Sequence, residues 1–215
     1  MQRASRRAGA GGATLRTSIA VSMERPGRRS SRAHRTLAEA QLAPETTATV
    51  DPIIAAALER LGNASDAIVA LRPEIEAGEP WPLAERFGAE PEARWGPREV
   101  LAHCEEMLPY WIGEIERILA EPEPAPYGRT QTDAIRIAII ERDRTLPIRE
   151  LVDRIAGGTA RYASRLPQLT AADVQRRGLH PARGEQTIGQ ILEQTVVGHL
   201  EGHLAQLRET LAERR

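Results

Sequence analysis

Aromatic residues and cysteine are scarce in this chain, and lysine is absent. Only 3% of the 215 residues are Phe, Trp or Tyr, so the core must be built from Leu, Ile, Val and Ala. Such a core favours helix packing over a β-sandwich, in which aromatic and β-branched residues are enriched. The single cysteine, Cys104, excludes a framework of internal disulfides and fits a reducing compartment, so we expect a cytoplasmic protein. No apolar run approaches the ~18 residues of a membrane-spanning helix.

Positive charge is concentrated near the N-terminus. Residues 1–36 contain nine Arg and one acidic residue, Glu24, whereas the rest of the chain is acidic. An acidic body argues against a nucleic-acid-binding face on the folded domain. Residues 1–50 show no lasting helical or strand period, and we expect a disordered basic tail. Three interpretations of this tail stay open: a targeting peptide, a basic arm that binds nucleic acid or anionic lipid, or a translation start placed upstream of a true start at Met23.

Residues 51–215 are predicted to form one helical domain. Its helices begin at capping residues or prolines, and they carry apolar residues at spacings of three and four. Their predicted spans are 51–72, 97–119, 147–166 and 187–209, with a shorter helix over 133–141 and long connections over 76–95 and 168–186. No alternating segment of any length occurs, so we expect no sheet. The prediction is an all-α four-helix bundle.

Three details of these helices can be checked against the structure. Pro73 is expected to end the first helix. Glu99 is placed to reach back to the cap amide of the second helix. Gly157 and Gly158 lie inside the third helix, where each costs roughly 1 kcal/mol relative to Ala. Such a pair marks either a close approach of helices or a bend, and the sequence leaves both open.

Two histidines, His199 and His203, stand four residues apart on the apolar side of the fourth predicted helix. Side chains at this spacing share one helix face, with Cβ atoms about 6 Å apart, and two imidazoles so placed can bind one divalent ion. Metalloproteases use His-Glu-x-x-His, but here the acid is Glu201, which lies roughly 200° around the helix and points away. The alternatives are a pair of core histidines that hydrogen-bond to the backbone, or one buried and one exposed histidine.

A third histidine, His103, lies on the apolar stripe of the second predicted helix. In a four-helix bundle it can meet His199 and His203 at the bundle axis, and three neutral imidazoles suit Zn²⁺, Ni²⁺ or Fe²⁺. Three protein ligands leave coordination positions open, which is typical of a reactive site.

Other polar residues near these positions receive simpler interpretations. His180 is expected to be a solvated loop residue, and Cys104 a small core residue in preference to a nucleophile. Glu105 and Glu106 are expected to belong to a solvated helix face.

Two stretches together resemble the DinB/YfiT-like superfamily. They are Trp95-Gly96-Pro97-Arg98-Glu99-Val100-Leu101-Ala102-His103 and Gly198-His199-Leu200-Glu201-Gly202-His203-Leu204-Ala205-Gln206-Leu207, and the resemblance covers about residues 51–212. It implies a four-helix bundle with up-down-down-up topology and a divalent metal held by His103, His199 and His203. It also implies a bacterial protein that often forms a homodimer. Gly96 departs from the Ser or Thr that the family often has as the cap.

The resemblance implies two kinds of function. Characterised members include S-transferases that use a low-molecular-weight thiol such as bacillithiol or mycothiol, and a mycothiol-dependent isomerase. A metal site of this kind would lower the pKa of a bound thiol so that its sulfur attacks a small-molecule electrophile. A hydrolase is the close variant. The alternative is a non-catalytic, metal-stabilised dimeric helical module in stress response, which would have a filled coordination sphere or no access to the metal.

Overall fold

The structure is a computed structural model, and it describes residues 50–84 and 92–214. The predicted tail lies outside the described residues, apart from Val50. The helices are α1 (Pro52–Ala77), α2 (Pro97–Ala120), α3 (Ala134–Asp143), α4 (Ile148–Arg165), α5 (Ala171–Gln175), α6 (Ile188–Gln190) and α7 (Gly198–Ala212). A π-helical segment, Ile191–Val197, joins α6 to α7, and short 3-10 turns cover Glu92–Arg94 and Leu166–Gln168. The strands are β1 (Ala125–Pro126), β2 (Arg177–His180) and β3 (Gly184–Thr187).

Two predicted helix starts, at Asp51 and Thr187, are confirmed by side-chain caps. The Asp51 side chain accepts a hydrogen bond from the amide of Ile53 at 2.8 Å, and Pro52 takes the first position of α1. Thr187 and Gln190 form a capping box at the start of α6, in which each side chain bonds the backbone amide of the other residue. These contacts satisfy amides that the helix itself leaves unpaired.

Two expectations about helix ends are wrong. Helix α1 continues past Pro73 to Ala77, because Ile75 is fully buried and its carbonyl accepts a hydrogen bond from Trp81 Nε1 at 2.8 Å. Glu99 does not cap α2. Its carboxylate is buried and accepts hydrogen bonds from the Ala84 amide at 3.0 Å and from Arg144 at 3.1 Å. Glu99 therefore bonds residues that are distant in the sequence and does not cap its own helix.

Helices α2 and α4 run parallel to each other. Glu105, early in α2, lies 3.5 Å from Arg154 of α4, and Glu116, late in α2, bonds Arg165 near the end of α4 at 2.5 Å. Contacts therefore advance along both helices in the same direction. This parallel pair needs a long crossover, which α3 and its flanking loops supply.

Helix α7 runs antiparallel to α2 and alongside α1. Gln206, late in α7, bonds the carbonyl of Trp95 just before α2, whereas His199 at the start of α7 meets His103 within α2. Arg60 of α1 bonds Glu201 at 2.5 Å and so ties α1 to α7. The long segment made of α6, the π-helical turn and α7 is the fourth helix of the predicted bundle. None of the described helices is long and apolar enough to cross a membrane.

The expectation of no sheet is wrong. β2 pairs antiparallel with β3 and parallel with β1, in the order β1-β2-β3. The strands have two to four residues, and their buried positions include Gly178 and the polar side chains of His180 and Gln186. A pattern of alternating apolar residues cannot predict such strands, because they are stabilised by backbone pairing and close packing. A Cβ on Gly178 would lie 2.5 Å from the ring of Tyr127.

The glycine pair in α4 marks a close approach of helices. A Cβ on Gly158 would lie 3.0 Å from Leu108 Cβ of α2, whereas a Cβ on Gly157 would meet no atom within 4 Å. One turn later, the Tyr162 hydroxyl donates a hydrogen bond to the Leu108 carbonyl at 2.9 Å. Gly158 therefore sets how closely α4 approaches the helix that carries His103.

We expect Gly158→Val to lower the free energy of unfolding by about 1–3 kcal/mol, since the added methyl groups would force α2 and α4 apart. Gly157→Val is the matched control, because the neighbouring position is exposed and its stability should change by about 0.5 kcal/mol or less. Urea unfolding of both variants measures the difference. Equal effects at the two positions would contradict the close-approach interpretation.

Candidate metal centre

The three histidines predicted as ligands meet at one end of the bundle. The ring centroids of His103 and His199 lie 5.0 Å apart, those of His103 and His203 also 5.0 Å, and those of His199 and His203 4.7 Å. The Nε2 atoms of His103 and His199 face each other at 3.3 Å. Helix α2 supplies one imidazole and the first two turns of α7 supply the other two. The fold therefore brings together the residues that the sequence singled out.

A fourth possible ligand, Glu92, lies beside the histidines. It was not predicted from the sequence. Its Oε2 atom lies 3.6 Å from His199 Nε2 and 3.9 Å from His203 Nε2. One ligand atom from each of the four residues lies within 4.8 Å of the others. Glu92 belongs to a short 3-10 turn in the long connection before α2, where several acids occur without any period. No pattern in that connection distinguishes it.

The donor set fits a divalent metal ion. Metal–nitrogen bonds of about 2.0–2.1 Å in a tetrahedral site place two nitrogens about 3.4 Å apart, close to the 3.3 Å between His103 and His199. His203 Nε2 is buried and has no hydrogen-bond partner among the described residues. A buried nitrogen lone pair without a donor is costly unless an ion uses it. Imidazole and carboxylate are ligands typical of Zn²⁺ and its neighbours in the transition series.

Gln206 determines which nitrogen of His203 faces the cluster. Its amide nitrogen donates to the backbone carbonyls of Glu92 at 2.8 Å and Trp95 at 3.1 Å, so its oxygen must be the atom 3.1 Å from His203 Nδ1. An amide oxygen only accepts, so Nδ1 carries the proton and Nε2 keeps its lone pair. Gln206 thereby orients one ligand and fixes the turn that carries Glu92.

Removing this support should weaken metal binding. We expect Gln206→Leu to lower the affinity for Zn²⁺ by about 10–100-fold, since orienting partners of ligating histidines have effects of that size. Gln206→Glu keeps an acceptor for His203 Nδ1 and should retain more of the affinity. Competition with a chromophoric chelator measures both constants. Equal affinity in Gln206→Leu and wild type would contradict the orienting role.

The far side of His103 faces a buried ion pair. His103 Nδ1 lies 3.8 Å from Glu106 Oε2, and Arg129 bonds both oxygens of Glu106 at 2.5 and 2.6 Å. The expectation that Glu106 belongs to a solvated face is therefore wrong, since Glu106 is buried; Glu105 is partly buried. Arg129 neutralises the carboxylate, which makes its burial tolerable.

The expectation for His180 is also wrong. It is buried at the end of β2, where Nδ1 accepts hydrogen bonds from the amides of Ala182 and Arg183 at 3.1 and 3.2 Å. Its ring packs so closely against Gly128 that a Cβ there would lie 2.1 Å away. His180 is a structural residue of the β2–β3 turn and lies outside the cluster of His103, His199, His203 and Glu92.

Cys104 and Glu201 behave as the sequence indicated. Cys104 is fully buried, and burial raises the pKa of its thiol, which keeps it protonated as a core residue. Glu201 faces α1 and bonds Arg60, so it cannot act as the base of a metalloprotease site. The carboxylate at the cluster is Glu92.

Glu92 is held as an anion between the histidines and Arg136. Burial alone would raise the pKa of Glu92, but His199 and Arg136 outweigh it and hold that pKa below its usual value. Arg136 bonds Glu92 Oε1, which leaves Oε2 directed at the histidine nitrogens. The carboxylate can therefore act as a fourth ligand or accept a proton at Oε2.

Within residues 50–84 and 92–214, the cluster is exposed at His199 and Glu92. The side chains of His103 and His203 are 2% and 6% exposed, whereas those of His199 and Glu92 are 26% and 22% exposed. A small molecule would approach past His199 and Glu92. A separate cleft of about 640 Å³ lies between α2 and α3 beyond Glu106 and Arg129, and it is lined by Tyr110 and Ile139.

Metal-free protein should lose stability as the pH falls below about 6.5. Burial and then His199 lower the pKa of His203 to about 4, and burial holds that of His103 well below its usual value. Both histidines take up protons near pH 6.5 in the unfolded chain, so the unfolded state binds more protons in the window below it. The free energy of unfolding should fall by up to about 1.4 kcal/mol per pH unit for each histidine.

Urea unfolding of the metal-free protein across this pH window measures the slope. Above about pH 6.5 both histidines are neutral in both states and their contribution should be constant. His203→Gln should lower the slope of unfolding free energy against pH by the contribution of one histidine, about 1.4 kcal/mol per pH unit. A slope unchanged in this variant would contradict the burial of a neutral His203.

Comparisons with known proteins agree with the helical layout. A sequence profile of the DinB superfamily matches residues 51–207. A matching solved structure is that of YfiT from Bacillus subtilis, described as a probable metal-dependent hydrolase with an unusual four-helix bundle topology. It is 16% identical with a TM-score of 0.56, and the match covers 78% of this chain and 90% of that one. No curated protein sequence matches the chain. At this identity the likeness to YfiT shows the fold alone.

Proposed function

This chain belongs to the DinB superfamily, and we propose that it is a divalent-metal-dependent enzyme that acts on small electrophiles. The observation that carries the proposal is the convergence of three imidazole nitrogens beside one carboxylate at the partly exposed end of the bundle. His103, His199 and His203 would hold the ion. When bound, it would act as a Lewis acid and lower the pKa of a nucleophile at its open position.

The chain's own residues would then handle the proton. Glu92 Oε2 is directed at the ligand nitrogens, while Arg136 occupies Oε1. Glu92 is a carboxylate at neutral pH, and Oε2 is the oxygen that can accept a proton because Arg136 bonds the other one. A general base at such a position contributes about 10²–10⁴-fold to a rate. Gln206 orients His203 through a hydrogen bond and does not touch the reacting atoms.

We propose a thiol as the nucleophile, which makes the chain a thiol-dependent S-transferase. The thiol would be a small bacterial one such as bacillithiol or mycothiol, and its sulfur would bond the electrophilic carbon as the leaving group departs. Three protein ligands and an opening beside His199 suit this two-substrate reaction. Water in place of the thiol gives the hydrolase variant, the activity named in the description of YfiT.

A non-catalytic role is the second candidate, and Glu92 is the observation that favours it. If Glu92 Oε2 were a fourth ligand, the tetrahedral sphere would be filled, as in structural sites. The ion would then stabilise the bundle by joining α2, α7 and the turn that carries Glu92. The two candidates differ in whether a fifth group can reach the metal.

A thiol screen separates these functions. Zn²⁺-loaded protein is mixed with a chloronitrobenzene electrophile and a panel of low-molecular-weight thiols, and with a nitrophenyl ester in the absence of thiol. Thiol-dependent turnover that disappears in His103→Ala supports the transferase, and ester hydrolysis alone supports the hydrolase. Turnover that survives in His103→Ala would exclude the metal as the catalyst. Bound metal without turnover on either substrate supports the structural role.

A further inference from the structure

A buried cation, Arg136, stands at the edge of the histidine cluster. Its Nη2 atom lies 3.5 Å from His103 Nε2, the nitrogen that also faces His199. The same Nη2 bonds Glu92 Oε1, and Nη1 donates to the Gln131 carbonyl at 3.1 Å. The side chain is 7% exposed. An arginine so close to a metal ligand needs a reason, because like charges repel strongly where water is scarce.

The surroundings hold Arg136 firmly at this position. Its guanidinium carbon lies 5.3 Å from the centroid of the Trp95 ring, within the range of a cation–π interaction. Its backbone amide bonds the Asp133 side chain at 2.9 Å, which fixes the first turn of α3. The guanidinium is therefore anchored by α3, by Trp95 and by Glu92.

The charges around the cluster do not balance once a divalent ion is present. The ion and Arg136 carry three positive charges, and three neutral imidazoles add none. Among the described residues, Glu92 is the carboxylate of the cluster, and the nearby Glu106 is already neutralised by Arg129. Counting only the described residues of the cluster and the ion, two positive charges would remain uncompensated in a mostly buried site. Buried charge persists only when it is paired, so the site should draw in an anion.

We infer that the open position of the metal takes a small monoanion, a carboxylate or a thiolate, and that Arg136 sets this preference. The inference rests on the proposed metal site and deepens it by naming the charge of the ligand. The anion would enter on the side of His199 and Glu92, where the cluster is exposed. Arg136 acts on that anion by its charge and by the donors that Glu92 leaves unused, since a guanidinium carries five N–H groups.

A narrower role for Arg136 gives a different expectation. If it served only to orient Glu92, its loss would alter metal affinity through that carboxylate and leave the affinity for external anions unchanged. In our proposal, Glu92 and an external anion would compete for the positive charge of the ion and Arg136. Removing the charge of Glu92 should then tighten anion binding, whereas removing that of Arg136 should weaken it.

Titration of the Co²⁺-loaded protein with small anions tests whether variants of Glu92 and Arg136 change the anion affinity in opposite directions. The binding of acetate is measured by visible absorption. The binding of 2-mercaptoethanol is measured by a near-ultraviolet sulfur-to-cobalt band, and its thiol proton goes to the buffer. Neutral imidazole is the uncharged probe. We expect Arg136→Gln to weaken acetate and thiolate binding by roughly tenfold or more, while imidazole binding changes little and Co²⁺ stays near one per chain. Glu92→Gln should tighten the binding of both anions.

Arg142→Gln is the matched control, because Arg142 lies on the same helix, is mostly exposed and pairs with Asp143. It should leave both anion affinities unchanged. Arg136→Lys keeps the charge and should retain most of the anion affinity, which covers the case in which Arg136→Gln does not fold. Unchanged anion affinity in Arg136→Gln, or equal losses for acetate and imidazole, would overturn the inference while leaving the metal site intact. Failure of wild type to bind Co²⁺ would instead overturn the proposed function.

Discussion

His199→Ala is expected to abolish stoichiometric binding of divalent metal, whereas wild type should carry close to one ion per chain. The variant removes His199 Nε2, which lies 3.3 Å from His103 Nε2 and is one of the three imidazole nitrogens that converge on the cluster. The loss of a ligand from a site worth roughly 10 kcal/mol or more should reduce affinity about a thousandfold. Because His199 is the most exposed of the three, its removal should disturb the core least.

Metal analysis after growth with Zn²⁺, Ni²⁺ and Fe²⁺ available measures this difference. His180→Gln is the control, since His180 is buried and structural but lies outside the cluster. This control should lower stability and leave the metal content near one per chain. Equal metal content in His199→Ala and wild type would mean that the ion, if present, is held elsewhere.

Glu92→Gln should lower turnover by about 10²–10⁴-fold and leave metal bound. The amide is nearly isosteric with the carboxylate but cannot accept a proton from a thiol or water at neutral pH. The hydrogen bond between residue 92 and Arg136 can persist through the amide oxygen, so the turn should keep its place. Single-turnover kinetics, with metal content measured on the same sample, checks the effect.

The opposite outcome is also informative. If Glu92→Gln lost most of its metal and wild type showed no turnover, Glu92 would be a fourth ligand and the site would be structural. Glu201→Gln is a control of the same chemical type on α7, and it should break the ion pair to Arg60 without affecting either quantity.

The helices and the three histidines could be predicted because both are periodic features. Apolar residues at spacings of three and four place His103 on the inner face of α2 and His199 and His203 on the inner face of α7. Residues on the inner faces of antiparallel neighbouring helices meet when they lie at the same height along the bundle, as His103 and His199 do. The caps at Asp51 and Thr187 are likewise local, since each depends on residues two or three positions away.

The parts that could not be predicted depend on contacts between distant residues. Glu92 reaches the cluster because Gln206, 114 residues away, bonds its carbonyl. Glu99 was expected to cap α2 and Glu106 to lie on a solvated face, but Arg144 and Arg129, from other segments, bond them instead. The strand that carries His180 has no apolar alternation, and its burial follows from packing on Gly128.

Anomalous X-ray diffraction from crystals grown with Zn²⁺ tests the metal site most directly. We expect one strong peak at the zinc edge, within about 2.0–2.1 Å of the Nε2 atoms of His103, His199 and His203. A remaining position on the exposed side, filled by solvent or by a small anion, would support an enzyme. Crystals with no peak at these nitrogens, or with a peak at a different set of residues, would contradict the site proposed for this chain.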